Sequence, residues 1–158
     1  MDNARETLRH AVATLAYRGG KALRGAPAEF AGYRASDGSR TPAELVAHLG
    51  DLIEWASSMA EANPAWNASP PSSWPEEVNR FYAALKRFDD YLASEQPMGA
   101  PVERLLQGPV ADALTHVGQL VMLRRLSGSP MRSENYFKAD IRSGRVGTEQ
   151  EPPKFEFD

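Results

Sequence analysis

Asp112 and His116 stand four residues apart in the strongly apolar stretch 110–126, and Val117, Gly118 and Gln119 follow them. Four residues is about one helical turn, so a helix here carries both side chains on one face. Leu120 and Leu123 share that face, where a carboxylate and an imidazole are costly to bury unless paired or bound to a cation. An earlier amphipathic stretch, 41–52, carries His48 on its own apolar face. Two helices can therefore bring two imidazoles and a carboxylate to one point, which is the donor set of a divalent-metal site.

Imidazole nitrogen and carboxylate oxygen suit borderline first-row cations, so one divalent ion is expected, Zn, Ni, Fe or, less favoured, Mn. Three protein ligands leave coordination positions open, as in catalytic rather than structural sites, and water bound there has a lowered pKa. Around the helix axis Asp112 lies about 40° from His116 on one side, Leu120 about 40° on the other, and Gln119 about 60° away. Glu44 and Asp51 border His48 on its polar side. These three, Glu44, Asp51 and Gln119, are the candidates for orienting a ligand or a water. Each residue also has a plainer account. Asp112 and His116 can form an intrahelical ion pair, His48 can be satisfied by a neighbour, Glu44 fits a helix cap, and Gln119 can border a polar edge.

Four helices must position these groups. The first spans about 3–23, with Leu8, Val12 and Leu15 as its buried stripe and Gly19-Gly20 weakening its last turns. Residues 25–40, rich in Gly, Ala and Ser, read as a loop containing Phe30 and Tyr33. Thr41, Pro42 and Glu44 form a T-x-x-E capping box with proline at the first helical position, so a second helix starts there. Leu45, His48, Leu52, Trp55 and Met59 share one of its faces. Ser73-Trp-Pro-Glu76 repeats the capping pattern and opens a third helix with the stripe Val78, Phe81, Tyr82, Leu85, Phe88 and Leu92. Residues 102–107 suit a short helical turn before Gly108-Pro109, and the fourth helix spans 110–126, closed by Gly128. The rest has weak periodicity: a short helix is expected within 133–141, and the aromatic side chains Tyr136, Phe137, Phe155 and Phe157 are expected to pack the tail on the bundle. No alternating strand pattern longer than a few residues occurs. The expectation is an all-α protein, a four-helix bundle over 1–128 with an irregular C-terminal tail, 129–158, on the same domain.

The 158 residues carry a net charge of −3 and offer no basic stripe, which argues against a nucleic-acid partner. There is no cysteine, so disulfides, thiolate nucleophiles and cysteine-ligated zinc are excluded and any metal must be held by nitrogen and oxygen. A polar start without a signal-peptide pattern and the lack of a long apolar run suggest a soluble cytoplasmic protein with no membrane partner. Asn67-Ala-Ser69 fits a glycosylation sequon, but that compartment leaves it unused. His10 lies on the solvent side of the first helix. Arg124-Arg125 meet the C-terminal dipole of the fourth helix, with anion binding the alternative. Residues 144–147 read as a turn. Val110, Leu114, Val117 and Val121 form a second apolar stripe on the fourth helix, which the tail or a second copy must cover.

The stretch Thr41-Pro-Ala-Glu-Leu-Val-Ala-His48-Leu-Gly-Asp resembles the second-helix motif of the DinB-like (DinB/YfiT) superfamily of metal-dependent four-helix bundles. Thr115-His116-Val-Gly-Gln119 resembles the H-x-G-Q hallmark of that family's last bundle helix. The resemblance covers about residues 1–128 in the right order. The segments Glu134-Asn-Tyr-Phe-Lys-Ala-Asp-Ile-Arg and Gly144-Arg-Val-Gly are similar to the tail of one uncharacterised bacterial branch. It implies an up-down-down-up bundle, commonly a homodimer, and one divalent metal held by three histidines. Their places here fall on His48, Asp112 and His116, so an aspartate stands where the family has its middle histidine. An oxygen donor there adds negative charge and hardens the site, shifting preference towards manganese or iron or weakening binding. The implied function is a metal-dependent thiol S-transferase or hydrolase acting on a small-molecule substrate, with a low-molecular-weight thiol as the candidate co-substrate. The competing reading is a non-catalytic metal- or ligand-binding, or structural, dimeric bundle. An open coordination position facing a cleft favours the first; a site sealed by Trp55 and the tail favours the second.

Overall fold

A computed structural model describes residues 3–68 and 70–157. Ser69 of the glycosylation sequon lies outside the described residues. The chain is mostly helical. The long helices are α1 (Asn3–Leu23), α2 (Pro42–Ala60), α3 (Trp74–Ala93) and α5 (Ala111–Leu126), with a short α4 (Val102–Leu105) before the last. Helix α1 packs against α3 and α5, and α2 packs against the same two. The core between them is Leu8, Val12, Leu15, Leu49, Ile53, Phe81, Phe88, Val110 and Leu120, all essentially inaccessible to solvent. Among the described residues no helix is long and apolar enough to cross a membrane.

Both capping patterns fix helix starts. The Thr41 amide donates to Glu44 Oε2 at 2.7 Å, and the Glu44 amide donates back to Thr41 Oγ1 at 3.2 Å. At α3 the Ser73 amide and hydroxyl both donate to Glu76 Oε2, at 3.1 and 2.6 Å. Helix α1 runs unbroken through Gly19-Gly20. Gly19 earns its place by contact, because a Cβ there would sit 3.2 Å from the Phe81 ring and 3.6 Å from Val117. Gly50 likewise leaves room for the Arg80 guanidinium, which a Cβ would approach to 2.9 Å. From α3, Arg80 donates to the Ala47 carbonyl, Asp51 and Glu54 on α2 and to Glu77 on its own helix.

Several expectations need correction. Gly108-Pro109 does not interrupt the last helix; residues Leu106–Val110 form a π-helical turn that joins α4 to α5. The wider π turn accommodates a proline that lacks the amide proton an α-helix would use there. The 25–40 loop contains a 3₁₀ turn, Ala28–Gly32, that buries Phe30. Instead of a short helix, the tail holds a 3₁₀ turn, Tyr136–Lys138, and a two-residue antiparallel pair. In that pair Ser133–Glu134 (β1) meets Glu156–Phe157 (β2).

Of the tail's aromatic side chains only Tyr136 packs on the bundle, edge to face on Tyr17 and under Arg18; Phe137 is 97% exposed, and Phe155 and Phe157 are about half exposed. A polar latch ties the tail down instead. The Glu134 side chain is fully buried and accepts from Tyr17 Oη at 2.6 Å and Lys21 Nζ at 2.8 Å. Lys21 also pairs with Glu156 at 2.8 Å, so one α1 lysine clamps both strands. Arg124, expected to meet the helix dipole at the surface, is buried. Its guanidinium donates to the carbonyls of Ala22, Arg24 and Ser129. His10 is exposed, and Gly144, at φ +87°, sits in a turn.

Removing one partner of a buried ion pair strands the other. Glu134→Ala should therefore lower unfolding free energy by about 3 kcal/mol. Urea denaturation followed by circular dichroism measures this, and an unchanged midpoint would show that the latch contributes nothing.

Candidate metal centre

Helix α2 brings His48 two turns beyond its capping box, and α5 brings Asp112 and His116 within its first turn and a half. The contact between these helices sets the two imidazole rings edge to face, centroids 4.7 Å apart. His116 Nε2 lies 3.4 Å from Asp112 Oδ1, and His48 Nε2 lies 3.8 Å from Asp112 Oδ2. One donor atom from each of the three lies within 4.8 Å of the others. The structure thus brings together all three residues singled out as ligands.

The donor set fits a small divalent cation. Donors at 2.0–2.2 Å in tetrahedral arrangement stand roughly 3.4 Å apart; the His116–Asp112 distance matches this, and the three donor atoms, within 4.8 Å of one another, would draw together on binding. Gln119 orients one ligand: its Oε1 lies 3.1 Å from His116 Nδ1. An amide oxygen only accepts, so Nδ1 donates to it and Nε2 is the ring nitrogen that faces Asp112. Thr115 Oγ1 approaches Asp112 Oδ1 at 3.4 Å and donates to the Asp112 carbonyl at 2.7 Å.

Asp112 departs from the buried placement expected for it. Its side chain is 48% accessible, against 19% for His48 and 13% for His116. The carboxylate therefore sits at the rim, where it is cheap to desolvate, and the histidines sit deeper. Burial holds the His48 pKa below its ordinary value, helped by the positive charge of Arg40 and by His116, while Asp112 and Asp51 oppose the shift. The neutral ring needed for ligation is thereby favoured.

Of the other candidates, Glu44 is engaged by the Thr41 cap and lies 3.7 Å from Arg34. Asp51 is buried and holds Arg80 at 2.9 Å. Both belong to the scaffold around the site, and Gln119 alone of the three contacts a ligand. Sequence reasoning overlooked two neighbours. Trp66, from the 61–73 loop, stacks edge to face on His48 at 5.9 Å and on Trp55 at 5.6 Å. Arg40 immediately precedes the α2 cap, and that adjacency to His48's helix was the available signal. A cleft of about 400 Å³ opens beside His48, lined also by Arg34, Arg40, Glu44 and Asp51.

No family model matches the chain, and no curated protein and no solved structure is significantly similar to it. The residues must carry the functional reading themselves.

Removing an orienting hydrogen bond typically weakens a metal site tenfold or more, so Gln119→Ala should bind Zn²⁺ about tenfold more weakly by calorimetry. The pH dependence has a definite sign. His48 protonates less readily folded than unfolded, so the metal-free protein should lose stability as pH falls through 6.5, the ordinary value for histidine. Its lowered pKa should keep His48 neutral for ligation to below that value. Thermal melts across pH, repeated with His48→Gln, test this; a slope unchanged by the substitution would refute it.

Proposed function

We propose that this chain is a DinB-like, divalent-metal-binding helix bundle whose His48–Asp112–His116 site serves a metal-dependent thiol S-transferase or hydrolase. The observation that carries the reading is the convergence of three donors from two helices beside an open cleft. The Gln119 contact at Nδ1 holds the His116 ring with Nε2 turned to the site, the orientation that a ligating imidazole needs. The tail is latched to α1 and leaves the rim of Asp112 accessible, so a substrate atom has a path to the site.

In this reading His48 and His116 supply nitrogen and Asp112 supplies oxygen. A bound cation would supply Lewis acidity, lowering the pKa of a coordinated thiol or water. The chain's own residues do the rest. Gln119 fixes the His116 ring. Trp66 covers one flank of His48 and is itself braced by Trp55. Asp112 lowers the charge of the site.

A second reading has one observation in its favour. Asp112 already lies at ion-pair distance from both imidazoles, so the cluster can act as a polar clasp between α2 and α5 in a non-catalytic bundle. Metal analysis separates the two. After metal-replete purification the wild type should carry about one divalent ion per chain, His48→Ala should carry essentially none, and Asp112→Ala should bind at least about tenfold more weakly. If wild type and both variants hold equally little, the metal reading fails and the clasp stands. Full occupancy in Asp112→Ala alone would remove the aspartate from the ligand set. Asp112→His should raise the preference for Zn²⁺ over Mn²⁺, because imidazole suits the former and carboxylate the latter.

A further inference from the structure

We infer that the cleft beside the candidate metal centre recognises a substrate carrying a carboxylate, and that Arg40 is the residue that binds it. This rests on the metal-centre reading and adds to it the chemical class of the substrate. The argument starts from the charges that line the cleft. Glu44 accepts from the Thr41 amide and faces Arg34 at 3.7 Å. Asp51 accepts from Arg80 at 2.9 Å. Arg34 is further committed to the Ser39 carbonyl. Each of these groups is matched. Arg40 is exposed and makes no hydrogen bond and no ion pair among the described residues; its charge acts on Glu44 and His48 only through space, so its N–H donors are open to a ligand.

Its position is as telling as its freedom. Arg40 lines the polar cleft together with His48, and it also lines an adjoining apolar cavity of about 290 Å³ together with Gln119, Leu45 and Leu123. Arg40 therefore belongs to the wall shared by the two cavities, one of which reaches His48 and the other Gln119. A ligand that occupies the cleft beside His48 has Arg40 on the same wall. Arg40 presents one planar fork and one positive charge, which match a single carboxylate, whereas a phosphate dianion carries nearly twice that charge. The neighbouring apolar wall of Leu45, Leu123 and Met122 suits the hydrocarbon part of the same molecule.

Two matched probes test this: 3-mercaptopropionate, with a metal-seeking thiol and a carboxylate, and 3-mercapto-1-propanol, its neutral counterpart. Affinities are measured by calorimetry on the Zn²⁺-loaded protein and by NMR titration on the metal-free protein. Wild type should prefer the carboxylate probe by about tenfold. Arg40→Ala saturated with Zn²⁺ should bind the two alike, and Arg40→Lys should recover part of the preference. Equal binding of the probes by wild type overturns the inference and leaves the metal centre intact. So does a preference that survives in Arg40→Ala, since that would come from chelation at the metal. If wild type takes no Zn²⁺, the metal reading falls separately. The metal-free titration then decides on Arg40, with discrimination lost in Arg40→Ala supporting it and no discrimination overturning it.

Discussion

The alignment of α5 against its neighbours is the constraint on which the rest depends, and a single buried guanidinium secures its C-terminal end. Arg124 reaches the carbonyls of Ala22 and Arg24, at and just beyond the end of α1, and the Ser129 carbonyl where the tail begins. The last carbonyls of any helix lack intrahelical partners and must find donors elsewhere. Here a cation from another helix supplies them, and Phe30 stacks beneath it. Burial pushes the Arg124 pKa down, yet arginine holds its proton in proteins, so the charge persists and binds the carbonyls more strongly than a neutral donor would. The same device recurs at α3, whose last carbonyls, Tyr91 and Leu92, accept from Arg5 of α1. Arg80 ties α2 to α3 differently, through the Asp51 and Glu54 carboxylates and the mid-helix Ala47 carbonyl. The bundle is thus stitched laterally by arginines whose acceptors are largely backbone, and these bonds fix the helices along their axes as well as side by side.

With the C-terminal end of α5 fixed by Arg124 and its N-terminal end by the π turn at Pro109, the azimuth of Asp112 and His116 is determined. A π turn spends more residues per revolution than an α turn, so it resets which side of the following helix faces inward. In this chain it turns His116 towards His48 and leaves Asp112 at the rim. The candidate site therefore depends on a local irregularity in the backbone as much as on the i, i+4 spacing.

The spacing and the capping boxes were legible in the sequence, and so was the convergence of His48 with Asp112 and His116. Thr41 and Ser73 mark helix starts through local hydrogen bonds that need no tertiary context. What escaped reading depended on distant partners. Glu134 lies in a weakly periodic tail and is buried only because Tyr17 and Lys21, over a hundred residues earlier, meet it. Arg124 sits where an arginine ordinarily faces solvent beside a helix dipole, and its acceptors come from another helix. Gly108-Pro109 reads as a break because the sequence pattern of a π turn does not differ from that of a loop. Asp112 was assigned correctly to the face of His116, but periodicity gives an angle, not a depth. Its exposure follows from lying close to the N-terminal end of α5, near the rim of the bundle.

The exposure of Asp112 sets what a carboxylate, rather than an imidazole, does at this position. A carboxylate buried among leucines would cost more than an imidazole, but at the rim the cost falls and the added charge becomes the main consequence. Three neutral histidines holding a divalent cation would carry a charge of about +2, whereas two histidines and an aspartate would carry about +1. The weaker field would attract an anion less strongly, and under the proposed reading Arg40 would supply positive charge from the cleft. A metal position that held the reacting atom and an arginine that held the anion would divide two tasks between two places. That division would favour a bifunctional ligand over a simple anion, since only a molecule with both ends can satisfy both positions at once.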